Sequence, residues 1–187
     1  MKRLAALLGL TAILAQPLSA QTQRPAPPLD SSLAVLRDAL LVLRDTLVTI
    51  DGAAARLQRD YRVASGPSLL SRARVMHDAC ARSGRTVPPT RNTILAAKLS
   101  QPQQARRRQE LVTALDQLKA AVSRCETEFD VMSQAGQAER VRGYANDRAL
   151  QVLASLRSYD RTARNFLAAM GIKVVPLGVT PEHQPES

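Results

Sequence analysis

The sequence predicts an all-α protein, an antiparallel four-helix bundle, on three observations. Apolar residues recur at alternating spacings of three and four over long stretches, and the first of these runs Leu33, Leu36, Leu40, Leu43, Leu47, Ile50, Ala54, Leu57, Tyr61, Ala64. Further stretches of the same kind follow, separated by breaks that carry Gly or Pro. The 187 residues are 45% hydrophobic but contain no Trp, three Tyr and two Phe, so the core must be built of Leu, Val and Ala. Helices that each carry one apolar stripe bury it only against one another.

The first twenty residues read as a leader. Met1-Lys2-Arg3 is a basic start, Leu4 to Ala15 is an apolar run too short to span a bilayer, and Gln16 to Ala20 ends in small residues. Cleavage is expected after Ala20, giving an exported chain, periplasmic or secreted, with no transmembrane segment. Removing Lys2 and Arg3 lowers the formal net charge from +10 to about +8. Residues 21–29 (QTQRPAPPL) form a Pro-rich linker.

The bundle domain is expected over 30–171. Its first helix spans about 30–65, capped by Asp30, with Gly52 inside at a cost of about 1 kcal/mol against Ala. Gly66 suits a helix end and Pro67 a helix start, so a second helix follows over 67–84 with the seam Leu69, Ala73, Met76, Cys80. Arg85 to Arg91 (RTVPPTR) is expected to end it, because prolines lack the N–H a helix needs. A short helix over about 92–99 would follow.

Ser100-Gln101-Pro102-Gln103 resembles a capping box and opens a third helix to about Gln134, with the seam Leu111, Leu115, Leu118, Val122, Cys125, Phe129, Met132. The seam of a fourth helix, about 137–170, is out of phase with it across Gly136, which places a turn there. Gly171 closes the fourth helix, and 172–187 is expected to be a flexible tail in which Ile172 to Val175 are the residues suited to docking. Leu41, Val42 and Val48 widen the first helix's apolar face, which suits either the core or a second face for homo-oligomerisation; the core is the preferred reading.

Cys80 and Cys125 both fall on seams. With a rise of 1.5 Å per residue, Cys80 lies about 20 Å below the top of the bundle and Cys125 about 36 Å up a frame about 50 Å tall, so their heights agree within one turn. An exported chain with two cysteines oxidises them, and a disulfide is the expected outcome.

Catalytic constellations are missing. His77 is the only histidine before the tail, Glu126 and Glu128 point different ways on a helix, and no Gly-rich phosphate loop or Glu-x-x-His pattern occurs. The expectation is a non-enzymatic protein with no metal and no cofactor, which binds or scaffolds in the cell envelope. The alternative is a carrier for a small apolar ligand or haem between the helices, with His77 and the methionines as the residues that prompt it. The most distinctive charge feature is Ala79 to Gln109, which holds Arg82, Arg85, Arg91, Lys98, Arg106, Arg107 and Arg108 and no acidic residue. Such a run suits an anionic envelope component or an acidic protein, and equally serves to keep a surface solvated. Of the 26 cationic residues of the whole chain 22 are Arg, a bias that base composition alone can produce and that is therefore no evidence for nucleic acid; export and the absence of stacking aromatics nearby argue against it.

Overall fold

A computed structural model describes residues 31–99 and 102–178. The leader, the linker, Asp30, the Ser100-Gln101 start of the capping box and the end of the tail lie outside the described residues. Four helices follow one another: α1 (Ser31–Asp60), α2 (Gly66–Ala96), α3 (Pro102–Ser133) and α4 (Ala138–Ala169). Each has 30 to 32 residues. That makes all four about 45–48 Å long. Equal length lets every stripe be covered from end to end.

The topology follows from which residues meet. On α2 and α3, Cys80 joins Cys125 and Arg91 pairs with Asp116, so numbers rise on one helix as they fall on the other. The same holds for Ser83 with Thr46 and Arg72 with Asp60 on α1 and α2. Arg107 with Asn165 and Arg148 with Glu128 join α3 and α4 in the same sense. Arg44 with Asp160 and Arg142 with Tyr61 close the ring between α1 and α4. All four neighbouring pairs are antiparallel. Across the diagonals, α2 and α4 come into contact, whereas α1 and α3 do not. A Cβ built on Gly66 would lie 3.3 Å from the Ala138 Cβ, so the absence of a side chain allows the starts of these two helices to approach.

The core is a single cluster drawn from all four helices, with Leu36, Leu43, Leu47 and Ile50 of α1 and Leu115, Leu118, Val122 and Phe129 of α3 fully buried. The first seam is buried as expected, from Leu36 to Leu57. Its outer additions are not core residues: Val42 and Val48 are 57% and 47% exposed and Leu41 is half-buried. Since α1 has no contact with α3, a single stripe suffices to meet its neighbours.

The main departure from expectation is α2. It does not stop at Gly84, and no separate helix starts at 92; one helix runs through Pro88 and Pro89 to Ala96. Its buried positions explain why: Leu69, Ala73, Met76, Cys80, Ser83, Val87, Thr90 and Ile94, then Ala97 just past its end, continue the alternation of four and three without a break. Two members of this seam are polar, but each is satisfied. Ser83 Oγ donates to the Thr46 carbonyl at 3.2 Å, and Thr90 Oγ1 donates to the Thr86 carbonyl at 2.9 Å. Both prolines face solvent, so their rings and missing N–H groups leave the buried seam untouched.

The other ends have local causes. The α-helix of α1 closes at Asp60, earlier than expected, and residues 61–64 form a looser last turn. That turn is held from α4: the Arg142 guanidinium donates to the carbonyls of Tyr61, Arg62 and Ala64 at 3.1, 2.9 and 3.0 Å. Gly136, with φ of 81°, makes the turn between α3 and α4, a backbone region open to Gly at little cost. At the end of α4, Ile172 N–H donates to Leu167 O and Gly171 N–H to Ala168 O, the paired bonds of a Schellman cap.

Beyond that cap the chain does not leave the bundle. Ile172, Val174 and Leu177 pack on the core, Arg44 donates to the Val175 carbonyl, and Leu177 N–H donates to Asp160 Oδ2 at 3.2 Å. The docked segment therefore reaches further than Val175 and runs back along the seam between α1 and α4.

Two outcomes are expected from these contacts. Arg142→Ala should lower the unfolding free energy by about 1–3 kcal/mol in urea titration, since three carbonyls lose a charged donor. Pro88→Ala with Pro89→Ala should raise stability by about 1–2 kcal/mol or more, the gain of two helical donors less the entropy proline removes from the unfolded chain. A fall in stability for the proline variant would mean that the helix needs its prolines.

Candidate functional site

The seven cations singled out in the sequence cluster around the second half of α2 and the start of α3, but the fold uses them differently. Arg91 makes a two-pronged contact with Asp116, at 2.8 and 3.3 Å, and that hydrogen bond followed by the opposite charge raises its pKa further. Arg106 pairs with Glu110 one turn on at 3.8 Å. Arg107 donates to the Asn165 carbonyl of α4 at 3.1 Å, and Arg108 to the Ala97 carbonyl at the end of α2 at 3.2 Å. These two tie α3 to its neighbours. Arg82, Arg85 and Lys98 are exposed and have no hydrogen-bond or ion-pair partner among the described residues. The acid-free run of sequence is thus not acid-free in space, because Glu110 and Asp116 lie just beyond its end and fold back onto it.

Net charge by helix shows a pattern that the one-dimensional window hides. In α2, Arg72, Arg74, Arg82, Arg85 and Arg91 stand against Asp78 alone, for +4. In α4, six arginines stand against Glu139, Asp147 and Asp160, for +3. In α1 and α3 the charges balance. The excess therefore sits on the two helices of one diagonal. The signal was present in the α4 sequence, but spaced acids broke the run that would have drawn attention to it.

Cys80 and Cys125 are bonded, with Cα atoms 6.0 Å apart, and both are buried. The bond clips α2 to α3 near mid-height. A shallow hollow of about 320 Å³ opens beside it between α3 and α4, lined by Ala121, Arg124, Cys125, Glu128, Arg148 and Val152 among others. Arg148 spans this groove to Glu128 at 3.6 Å and also donates to Gln151. Met76 and Met132 are buried core residues, whereas the His77 side chain is 27% exposed and contacts Asp78 at 2.9 Å. Among the described residues no group of three or more His, Cys, Asp or Glu is placed to hold a metal ion.

Among the described residues the one buried carboxylate is Asp160, 4% exposed. Its oxygens meet Arg164 at 2.8 Å, Arg44 at 3.6 Å and the Leu177 N–H, so its acceptor sites are engaged by the fold itself. Next to it, the Tyr159 hydroxyl is buried with no hydrogen-bond partner. Burial, and then the charge of Asp160, push its pKa above the usual tyrosine range.

Comparison with protein-family models, curated proteins and solved structures returns no match to this chain.

Tyr159 gives a test of the core. Its pKa is higher folded than unfolded, so above about pH 10 the unfolded chain releases a proton that the folded chain keeps, and stability falls as pH rises. Tyr159→Phe removes both the unpartnered hydroxyl and this linkage. It should be at least as stable as the native chain at pH 7 in denaturant titration and lose less stability between pH 9 and pH 11.

Proposed function

We propose that this protein is an exported, non-enzymatic helical bundle that binds or scaffolds an anionic component of the cell envelope through its exposed cations. The observation that carries the reading is the exposure, without a carboxylate partner among the described residues, of Arg82 and Arg85 on a helix whose net charge is +4 and of Lys98 just past its end. Uncompensated charges on a stiff frame raise the local concentration of an opposite charge without a deep pocket. The frame supports this role, because the disulfide clips α2 to α3 near mid-height and Arg107 and Arg108 tie the start of α3 to α4 and to the end of α2. Export agrees with the bonded cysteines and with the finding that no described helix is long and apolar enough to cross a membrane.

The test separates cations that the fold employs from those it leaves exposed. Arg82→Gln/Arg85→Gln/Lys98→Gln should keep its helical content and lose most of its salt-sensitive retention on anionic envelope material. Retention equal to the native chain at every salt concentration would overturn the reading.

A further inference from the structure

The reading as an anion binder leaves open how many partners one molecule holds. We infer that the bundle is bivalent, with the outer faces of α2 and α4 each binding a segment of a linear polyanion, so that one molecule bridges two segments; this rests on the proposed anion-binding role.

Three arginines on each of these helices carry the inference. Arg74, Arg82 and Arg85 of α2 are exposed and without partners among the described residues, and so are Arg140, Arg157 and Arg161 of α4. The acid nearest the first row, Asp78, is drawn to His77 at 2.9 Å. Exposed cations also stand on α1 (Arg56, Arg59) and α3 (Lys119, Arg124), but those two helices carry no net charge, whereas α4 keeps an excess of +3 despite its exposed Glu139 and Asp147.

Geometry sets the number of partners. Because α2 and α4 occupy one diagonal of the ring, their outer faces point away from each other. Two helix diameters, about 20 Å, separate them, so one short anion cannot touch both. Arg74 to Arg85 extends about 16 Å along the axis and Arg140 to Arg161 about 32 Å, lengths that suit an extended polymer rather than a single ion. Between the arginines, Val75 on α2 and Tyr144 and Leu150 on α4 are exposed and apolar, Asp78 and Asp147 are exposed acids, and Ala154 and Ser158 are small or polar. These apolar side chains stand singly among polar ones, so neither row carries the continuous apolar stripe with which a helix enters a bilayer, and the fit is to a hydrated polymer rather than to a lipid surface.

Inorganic polyphosphate is a suitable probe. Short chains, too short to pass around the bundle, are titrated calorimetrically into the native protein, into Arg74→Gln/Arg82→Gln/Arg85→Gln, into Arg140→Gln/Arg157→Gln/Arg161→Gln, and into the charge-matched control Arg56→Gln/Arg59→Gln/Lys119→Gln. Circular dichroism confirms the helical content of each. The expected stoichiometry is two chains per bundle for the native protein and the control, and one for each single-face variant. Long-chain polyphosphate should then cross-link the native protein and the control into light-scattering particles, and neither single-face variant. One equivalent on the native protein, or equal losses in all three variants, would overturn bivalence while leaving anion binding in place. No binding of polyphosphate together with binding to phosphatidylglycerol vesicles would replace the polymer with a lipid surface. No binding to either would overturn this inference and the anion-binding reading together.

Discussion

Burial of the α2 stripe is the interaction on which the rest of the structure depends. Two adjacent prolines inside a helix cost several kcal/mol in lost donors and ring clashes. Here that cost is opposed by Val87, Ile94 and Ala97 beyond the ordinary stopping point, with Val and Ile each contributing about 1.5–3 kcal/mol when fully buried. Placing both prolines toward water leaves the inner seam intact. An α2 of full length in turn gives α3 a partner along its whole span and brings Arg91 to Asp116 and Ala97 to Arg108.

Polar groups finish what the apolar stripes begin. Arg142 secures the end of α1 from a different helix, and Asp160 gathers Arg44, Arg164 and the returning chain at Leu177. Breaking a buried, fully paired carboxylate of this kind usually costs more than the pair is worth against an apolar substitute. Its place on the α1–α4 seam, under the segment from Ile172 to Leu177, gives that seam a third layer of cover. The cations with no such task stand exposed, and the helices that carry the excess are the two of one diagonal.

Local periodicity therefore reads well where each residue's role is set by its own helix. The first seam, the Gly136 turn and the end at Gly171 were legible because a heptad stripe, a positive φ and a helix stop are local properties. The meeting of Cys80 and Cys125 was legible as well, since helical rise is constant and two straight helices can be compared by height. The continuation of α2 was hidden because Pro88 and Pro89 read as a stop and because Ser83 and Thr90 are polar members of the seam beyond it; only the Thr46 carbonyl of α1 and the Thr86 carbonyl one turn back show how those two are accommodated. The basic run lost its apparent isolation for a related reason: Glu110 and Asp116 are outside it in sequence and beside it in space.

From sequence alone came the helical class, the apolar stripes and the disulfide partners, because spacing along a helix converts directly into position on its face. Tertiary structure decided the rest. It showed which helices meet across a diagonal, which arginines are consumed in holding carbonyls and carboxylates, that the outer valines of α1 remain exposed, and that the chain after α4 returns to the core. Those outcomes depend on competition among distant groups for the same burial and the same hydrogen bonds, which no local spacing encodes.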